Sequence, residues 1–318
     1  MRLIRTIALL LLALCATAYA AEKPKFYHPL RLPDGHPEMQ GNWTMSDLTP
    51  LERPEGFTQL AITAADAARL KAQYLDPPGP TQPDDPGLDR DRVFEPIRGQ
   101  LRSSLIIDPP DGKIPWRDDY KEKPLALRRA VLNALDNPEE RPPLERCVGS
   151  TGAPPMQPMG DNNEYQFVQT PTITAIISET IHDARLVRMN GTHSPAAVTS
   201  WLGDSIGWWE HDTLVVETKY FSSSSSVRLT RRYVFLVSPA TTVIERFTRA
   251  SDHELNYIFT VTDPTYYTRS WTGETHLLRS NHKMFEYACH EGNYSMRNIL
   301  EAARANDLKT SSAIAPTR

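Results

Sequence analysis

ITAIISETIHDARLVRMNG (173–191) and WWEHDTLVVET (208–218) decide what kind of fold this chain makes. Ile173, Ala175 and Ile177 recur with period two, and Ile181 and Val187 continue the phase. That spacing predicts β-strands with these residues on one buried face. Asn190-Gly191 and Glu210-His211-Asp212 carry turn chemistry between strands. The same phase also holds Glu179, Asp183 and Arg185. Charges on a buried face are costly unless paired or used, and a sequence tends to break its own pattern at functional or strained sites. A site is expected here.

Working outward, strands are expected at 164–170, 173–181, 183–189, 206–210, 213–220, 229–237, 241–249, 254–262 and 266–277. Short strands joined by tight turns imply a mainly β chain, an antiparallel meander closing as a barrel or folding as a sandwich. FSSSSSV (221–227) reads as a loop, and Tyr294 to Ala305 as a terminal helix. Residues 21–160 are rich in proline, with LDPPGPTQPDDPG (75–87) the extreme, and read as an arm laid over the barrel. Within it, Thr63 caps a helix over 64–75 that Pro77 and Pro78 end. Short strands are expected at Gly41-Asn42-Trp43 and Leu101 to Ile107, and helical spacing runs over 119–136. The expected division is therefore 1–20 signal, 21–160 arm, and 161–318 barrel with a C-terminal helix.

The signal rests on Arg2 and Arg5, the apolar run Ile7 to Leu14, and Ala18-Tyr19-Ala20 as a cleavage signal. Cys15 raises a lipoprotein alternative, but Leu14 before it is bulky. Export is the stronger reading, to a periplasmic or extracellular compartment. No other apolar run is long enough to span a bilayer. A net charge of −4 over 318 residues gives no basic footprint for nucleic acid. Removal of the signal leaves Cys147 and Cys289, expected to pair as one disulfide in an oxidising compartment.

Gly41-Asn42-Trp43 ahead of a meander resembles the lipocalin-like (calycin) barrels, in which that tryptophan plugs the closed end. LTPLERP (48–54), LIIDPPDGKIP (105–115), FVQTP (167–171), ETIHDAR (179–185), GDSIGWWEHDTLVVET (203–218), ERFTR (245–249) and YACHEGNYSMRNIL (287–300) resemble an uncharacterised family of exported bacterial proteins. That resemblance brings no activity with it. It implies glycine as the usual residue at His211, hence a left-handed turn position and not a catalytic group.

The remaining chemistry comes from sorting the later strands by face. Leu255, Tyr257, Phe259 and Val261 make one apolar face, and the same phase picks Val243, Glu245, Phe247 and Arg249, then Tyr267, Arg269 and Trp271. Such an interior would hold a small hydrophobic or aromatic molecule, oriented by charged groups. Candidate ligand-binding residues are Trp208, Glu245, Tyr257, Arg269 and Trp271; Glu245 and Arg269 could instead pair across strands. Candidate catalytic residues are Glu179, His182, Asp183 and Arg185. His182 lies on the opposite face of an ideal strand and joins them only through a bulge. Acid, base and cation together suit a lyase, hydratase or isomerase that needs no cofactor. The alternatives are a periplasmic binder of the same ligand class and a structural envelope protein. No nucleophile elbow, phosphate loop or metalloprotease helix is present. A metal site would need distant histidines such as His182, His193, His282 and His290.

Overall fold

The computed structural model describes residues 27–75, 93–121, 126, 135–149, 152–158, 162–223, 227–229 and 234–314. The expected signal segment and most of the helix expected over 119–136 lie outside the described residues. In chain order the elements are β1 (Gly41–Thr44), α1 (Ala64–Leu75), β2 (Ile106–Asp108), β3 (Glu164–Gln169), β4 (Ile173–Ser178), β5 (Ala184–Met189), β6 (Asp204–Glu210), β7 (Thr213–Lys219), β8 (Val227–Leu229), β9 (Val234–Leu236), β10 (Thr242–Ser251), β11 (Glu254–Thr262), β12 (Trp271–Arg279) and α2 (Tyr294–Ile314). Sheet order runs β1-β3-β4-β5-β6-β7-β10-β11-β12, and β12 pairs back onto β1 through Trp43↔Arg279 and Thr44↔Leu278. The result is a closed, lipocalin-like β-barrel. β2 pairs with the start of β12 on the same edge that β1 meets near its end, and β8 with β9 forms a separate hairpin where one strand over 229–237 was expected.

Two details depart from an antiparallel meander. β5 and β6 pair in parallel, Arg188↔Ile206 and Met189↔Gly207. Asn190 does take the left-handed turn conformation, but residues 190–203 then return to the other end of the barrel before β6 begins. A crossover of that length is what a parallel pair requires. In addition, the arm contributes β1 to the ring, so arm and barrel share hydrogen bonds. The last strand runs over 271–279, not 266–277, and α2 extends well past Ala305.

The face assignment of the opening stretch is half right. In β4 the buried residues are Thr174, Ile176 and Ser178, while Ile173 is 36% exposed. A short turn, Thr180–His182, with Ile181 in the left-handed region at φ 60°, interrupts the strand and resets its phase. β5 then buries Arg185 and Val187 and leaves Leu186 outside. A one-residue change of register moves every side chain to the other face.

Later strands alternate as expected: Val243, Glu245, Phe247, Leu255, Tyr257, Phe259 and Val261 all point inward. Their aromatic rings form a continuous spine, with centroids 5.4 Å apart for Phe167–Phe247, 4.9 Å for Phe247–Tyr257, 5.5 Å for Tyr257–Phe259 and 5.8 Å for Phe259–Trp271. Contacts at these separations contribute about 0.5–1.5 kcal/mol each beyond the area they bury. Gly273 lies opposite Phe259, and any Cβ there would collide with the ring. One barrel end is closed by Trp43, fully buried between the guanidinium groups of Arg249 (5.1 Å) and Arg279 (5.0 Å), its indole N–H donating to the Met39 carbonyl. Gly41 makes this possible: its φ is +108°, and a Cβ would lie 2.7 Å from the Arg279 guanidinium.

Candidate functional site

The opposite end of the barrel is where the polar interior lies. Both terminal nitrogens of Arg185 (β5) reach both carboxylate oxygens of Glu245 (β10), one of the contacts being 3.1 Å. Arg185 and Glu245 are buried at 2% and 0% exposure. Tyr257 (β11) donates its hydroxyl to Glu245 at 2.7 Å. Burial pushes the Tyr257 phenol well above its ordinary value, and the Glu245 charge adds to this, so the group acts as a neutral donor. Three residues singled out from the sequence thus meet: Glu245 and Tyr257 from the paired strands β10 and β11, and Arg185 from β5, which reaches them across the barrel interior.

The mouth is covered by the proline-rich connector, residues 152–158 (GAPPMQP), buried along its whole length. Met156 donates its backbone N–H to the Tyr257 hydroxyl at 2.9 Å, and Tyr165 (β3) donates its hydroxyl to the Gln157 carbonyl at 3.1 Å. Gly152 packs against Ser178 and Asp183, where a Cβ would come within 3.0 and 2.9 Å of theirs. The β8–β9 hairpin covers the same end, with the Tyr267 hydroxyl bonded to Leu236. Beneath these covers, Arg185 Nε, Ser178 Oγ, Thr275 Oγ1 and Gln157 Oε1 are buried and find no hydrogen-bond partner among the described residues. Buried polar atoms are normally satisfied, so such a cluster calls for a partner.

The other candidates lie elsewhere. Glu179 is buried at the rim, accepting from the Phe285 N–H at 2.9 Å and so docking the C-terminal segment. Asp183 lines a groove of about 380 Å³ with Arg185, Leu186, Arg188, Trp201 and Asp204, where β5 and β6 splay apart. The side chain of His182 lies outside the described residues. Arg269 does not enter the barrel: β12 begins only at Trp271, and Arg269 stays at the surface paired with Asp108. Trp208 also faces outward, its indole on Glu210, while Trp209 is the one packed on the core and stacked on His36. Trp271 is interior, at the far end of the aromatic spine. His211 sits at φ 54° in the β6–β7 turn, as a left-handed position requires.

Beside the groove lies a polar network that strand periodicity does not reveal, although His193 stands out as a histidine. His193 places its ring nitrogens 2.7 Å from Asp204 and 2.9 Å from Glu217, with Arg188 and Ser194 also on Asp204 and Lys219 on Glu217. Burial raises the Asp204 carboxyl, but the bonds from Arg188, His193 and Ser194 outweigh it and hold the group well below the usual carboxylate range. Both nitrogens of His193 are engaged, which makes it a brace for the crossover and not an open base. Among the described residues no group of three or more His, Cys, Asp or Glu side chains is placed to hold a metal ion, and no helix is long and apolar enough to cross a membrane. Cys147 and Cys289 lie at disulfide distance, Cα to Cα 5.8 Å, and tie the connector to the C-terminal segment. No protein-family model, curated protein or solved structure matches this chain, so its own geometry carries the functional reading.

Proposed function

We propose that this is an exported, lipocalin-like protein that binds a small, largely apolar or aromatic molecule at the mouth end of the barrel. The observation that carries the proposal is the inner wall itself: an aromatic spine running from Phe167 to Trp271 past Arg185 and Glu245, which meet it at Tyr257, with buried unpartnered polar atoms on the same interior. An apolar wall with a few convergent polar groups is the usual composition of a small-molecule site. The ion pair cancels its own charge, so the pocket does not repel an apolar ligand. Export is supported by the sequence of residues 1–20 and by the Cys147–Cys289 pair, which belongs to an oxidising compartment.

A second reading is an acid–base lyase, hydratase or isomerase needing no cofactor. It is favoured by one observation: Tyr257, Glu245 and Arg185 form a single hydrogen-bonded chain of phenol, carboxylate and guanidinium. In that reading Glu245 takes a proton, Tyr257 supplies one to a developing oxyanion, and Arg185 fixes the carboxylate. Untargeted mass spectrometry of small molecules co-purified from the native compartment identifies the ligand. Tyr257→Phe then separates the readings. A binder loses affinity in proportion to one hydrogen bond, about tenfold; an enzyme keeps affinity and loses turnover. Co-purified ligand bound equally well when Arg185, Glu245 and Tyr257 are each replaced would refute both.

A further inference from the structure

We infer that residues 152–158 occupy the place of the ligand, and that the molecule displacing them is uncharged and carries a carbonyl- or amide-like group on an apolar body. This rests on the barrel-mouth site proposed above. Gly152 to Pro158 brings one backbone N–H to the Tyr257 hydroxyl and one backbone C=O to the Tyr165 hydroxyl, and inserts the Met156 side chain into the core at 1% exposure. An apolar group beside a neutral amide is therefore what the wall already accepts.

Charge narrows the class further. Arg185 is neutralised by Glu245 through both terminal nitrogens, so this guanidinium, the cation that the described residues place beside Tyr257, is not free for an anionic ligand. The rim adds Glu164, Glu179 and Asp183, and burial already pushes the Glu164 carboxyl up. A carboxylate or sulfonate entering there would face like charge and lose its hydration without compensation. The unpartnered Arg185 Nε–H and the hydroxyls of Ser178 and Thr275 are donors waiting for an acceptor. Ser178 is the cross-strand partner of Tyr165, and Thr275 of Tyr257, the two tyrosines whose hydroxyls hold the connector. A neutral carbonyl oxygen answers them; a bound cation does not.

The test uses the full mature protein and two fluorescent naphthalene probes, the neutral ketone 6-propionyl-2-(dimethylamino)naphthalene and anionic 1-anilinonaphthalene-8-sulfonate. Met156→Ala removes the apolar anchor of the connector and leaves every wall residue and the residue-156 backbone N–H in place. It should tighten the neutral probe at least tenfold relative to wild type, leave the anionic probe weak, and let an acetylated, amidated peptide Ala-Pro-Pro-Met-Gln-Pro compete. Should Met156→Ala fold poorly, hydrogen exchange on the wild-type protein decides. Saturation with the neutral probe should expose the Met156 amide while the β11 amides stay protected. A Met156 amide that stays protected at saturation, or an anionic probe that binds as tightly as the neutral one, overturns the inference. If the neutral probe still binds and Tyr257→Phe weakens it, the mouth site survives and only the displacement is lost. If no probe binds either protein in a Tyr257-dependent way, the inference and the site fall together.

Discussion

Arg185→Met is the most informative single change. Wild-type Arg185 is 2% exposed and its partner Glu245 is fully buried, so methionine fills the space of the side chain and strands a carboxylate away from water. Breaking a buried pair from one side costs about 3–5 kcal/mol. The Tyr257 hydroxyl still donates to Glu245 at 2.7 Å, and a bond to a charged acceptor is worth about 1.5–3 kcal/mol, which places the expected loss toward the lower part of that range. Protonating the stranded carboxylate removes most of the penalty, so the deficit relative to wild type should shrink as pH falls. Arg185→Met/Glu245→Gln, which removes both charges, should recover most of the stability at neutral pH. Urea melts of wild type, single and double variants at pH 7 and pH 5 measure all of this. A single-variant loss below about 0.5 kcal/mol, flat across that pH range, is the size of an ordinary surface substitution and would mean the pair is not buried.

Three further outcomes are expected. Asp204 has its carboxyl held below the usual range, so it contributes stability above the unfolded carboxylate value near 4 that is lost as pH falls; Asp204→Asn should melt well below wild type at pH 7, with the gap narrowing at pH 3, and a constant gap would contradict the network. Gly41→Val should lose about 1–3 kcal/mol from backbone strain alone and shift the Trp43 fluorescence by dislodging Arg279; unchanged emission would contradict the closed-end packing. Cys289→Ser opens a loop of 142 residues, for which loop-closure entropy gives about 5 kcal/mol, and denaturant midpoints that ignore both the substitution and added reductant would count against the disulfide.

The barrel was legible because β10 and β11 alternate without interruption, and Leu255, Tyr257, Phe259 and Val261 admit only one buried face. β4 misled because its outward residues, Ile173, Ala175 and Ile177, are more apolar than its inward ones, since Thr174 and Ser178 face the core. Period-two reasoning picks the wrong face when the outward side of a strand is the more apolar one. Arg185 and Glu245 were found as charges breaking an apolar phase, yet their pairing was not, because it depends on which strands become neighbours across the ring. The connector over the mouth was hidden for a different reason. Proline-rich sequence predicts extended backbone but says nothing about where that backbone is buried.

Closure of the ring through Trp43↔Arg279 has a kinetic consequence. The paired residues are 236 positions apart, so the first strand of the barrel waits for the last before either has its full set of neighbours. Contacts of such long sequence separation are slow to form, because the entropy of closing the loop is lost before the pairing rewards it. Until then β1 and β12 each present an unpaired edge, and exposed edges of this kind invite pairing with another chain. A chain truncated before Trp271 should therefore not give a slightly weakened barrel. It should give an open sheet that exchanges strands with its neighbours, visible as dimers and larger species whose proportion rises with protein concentration.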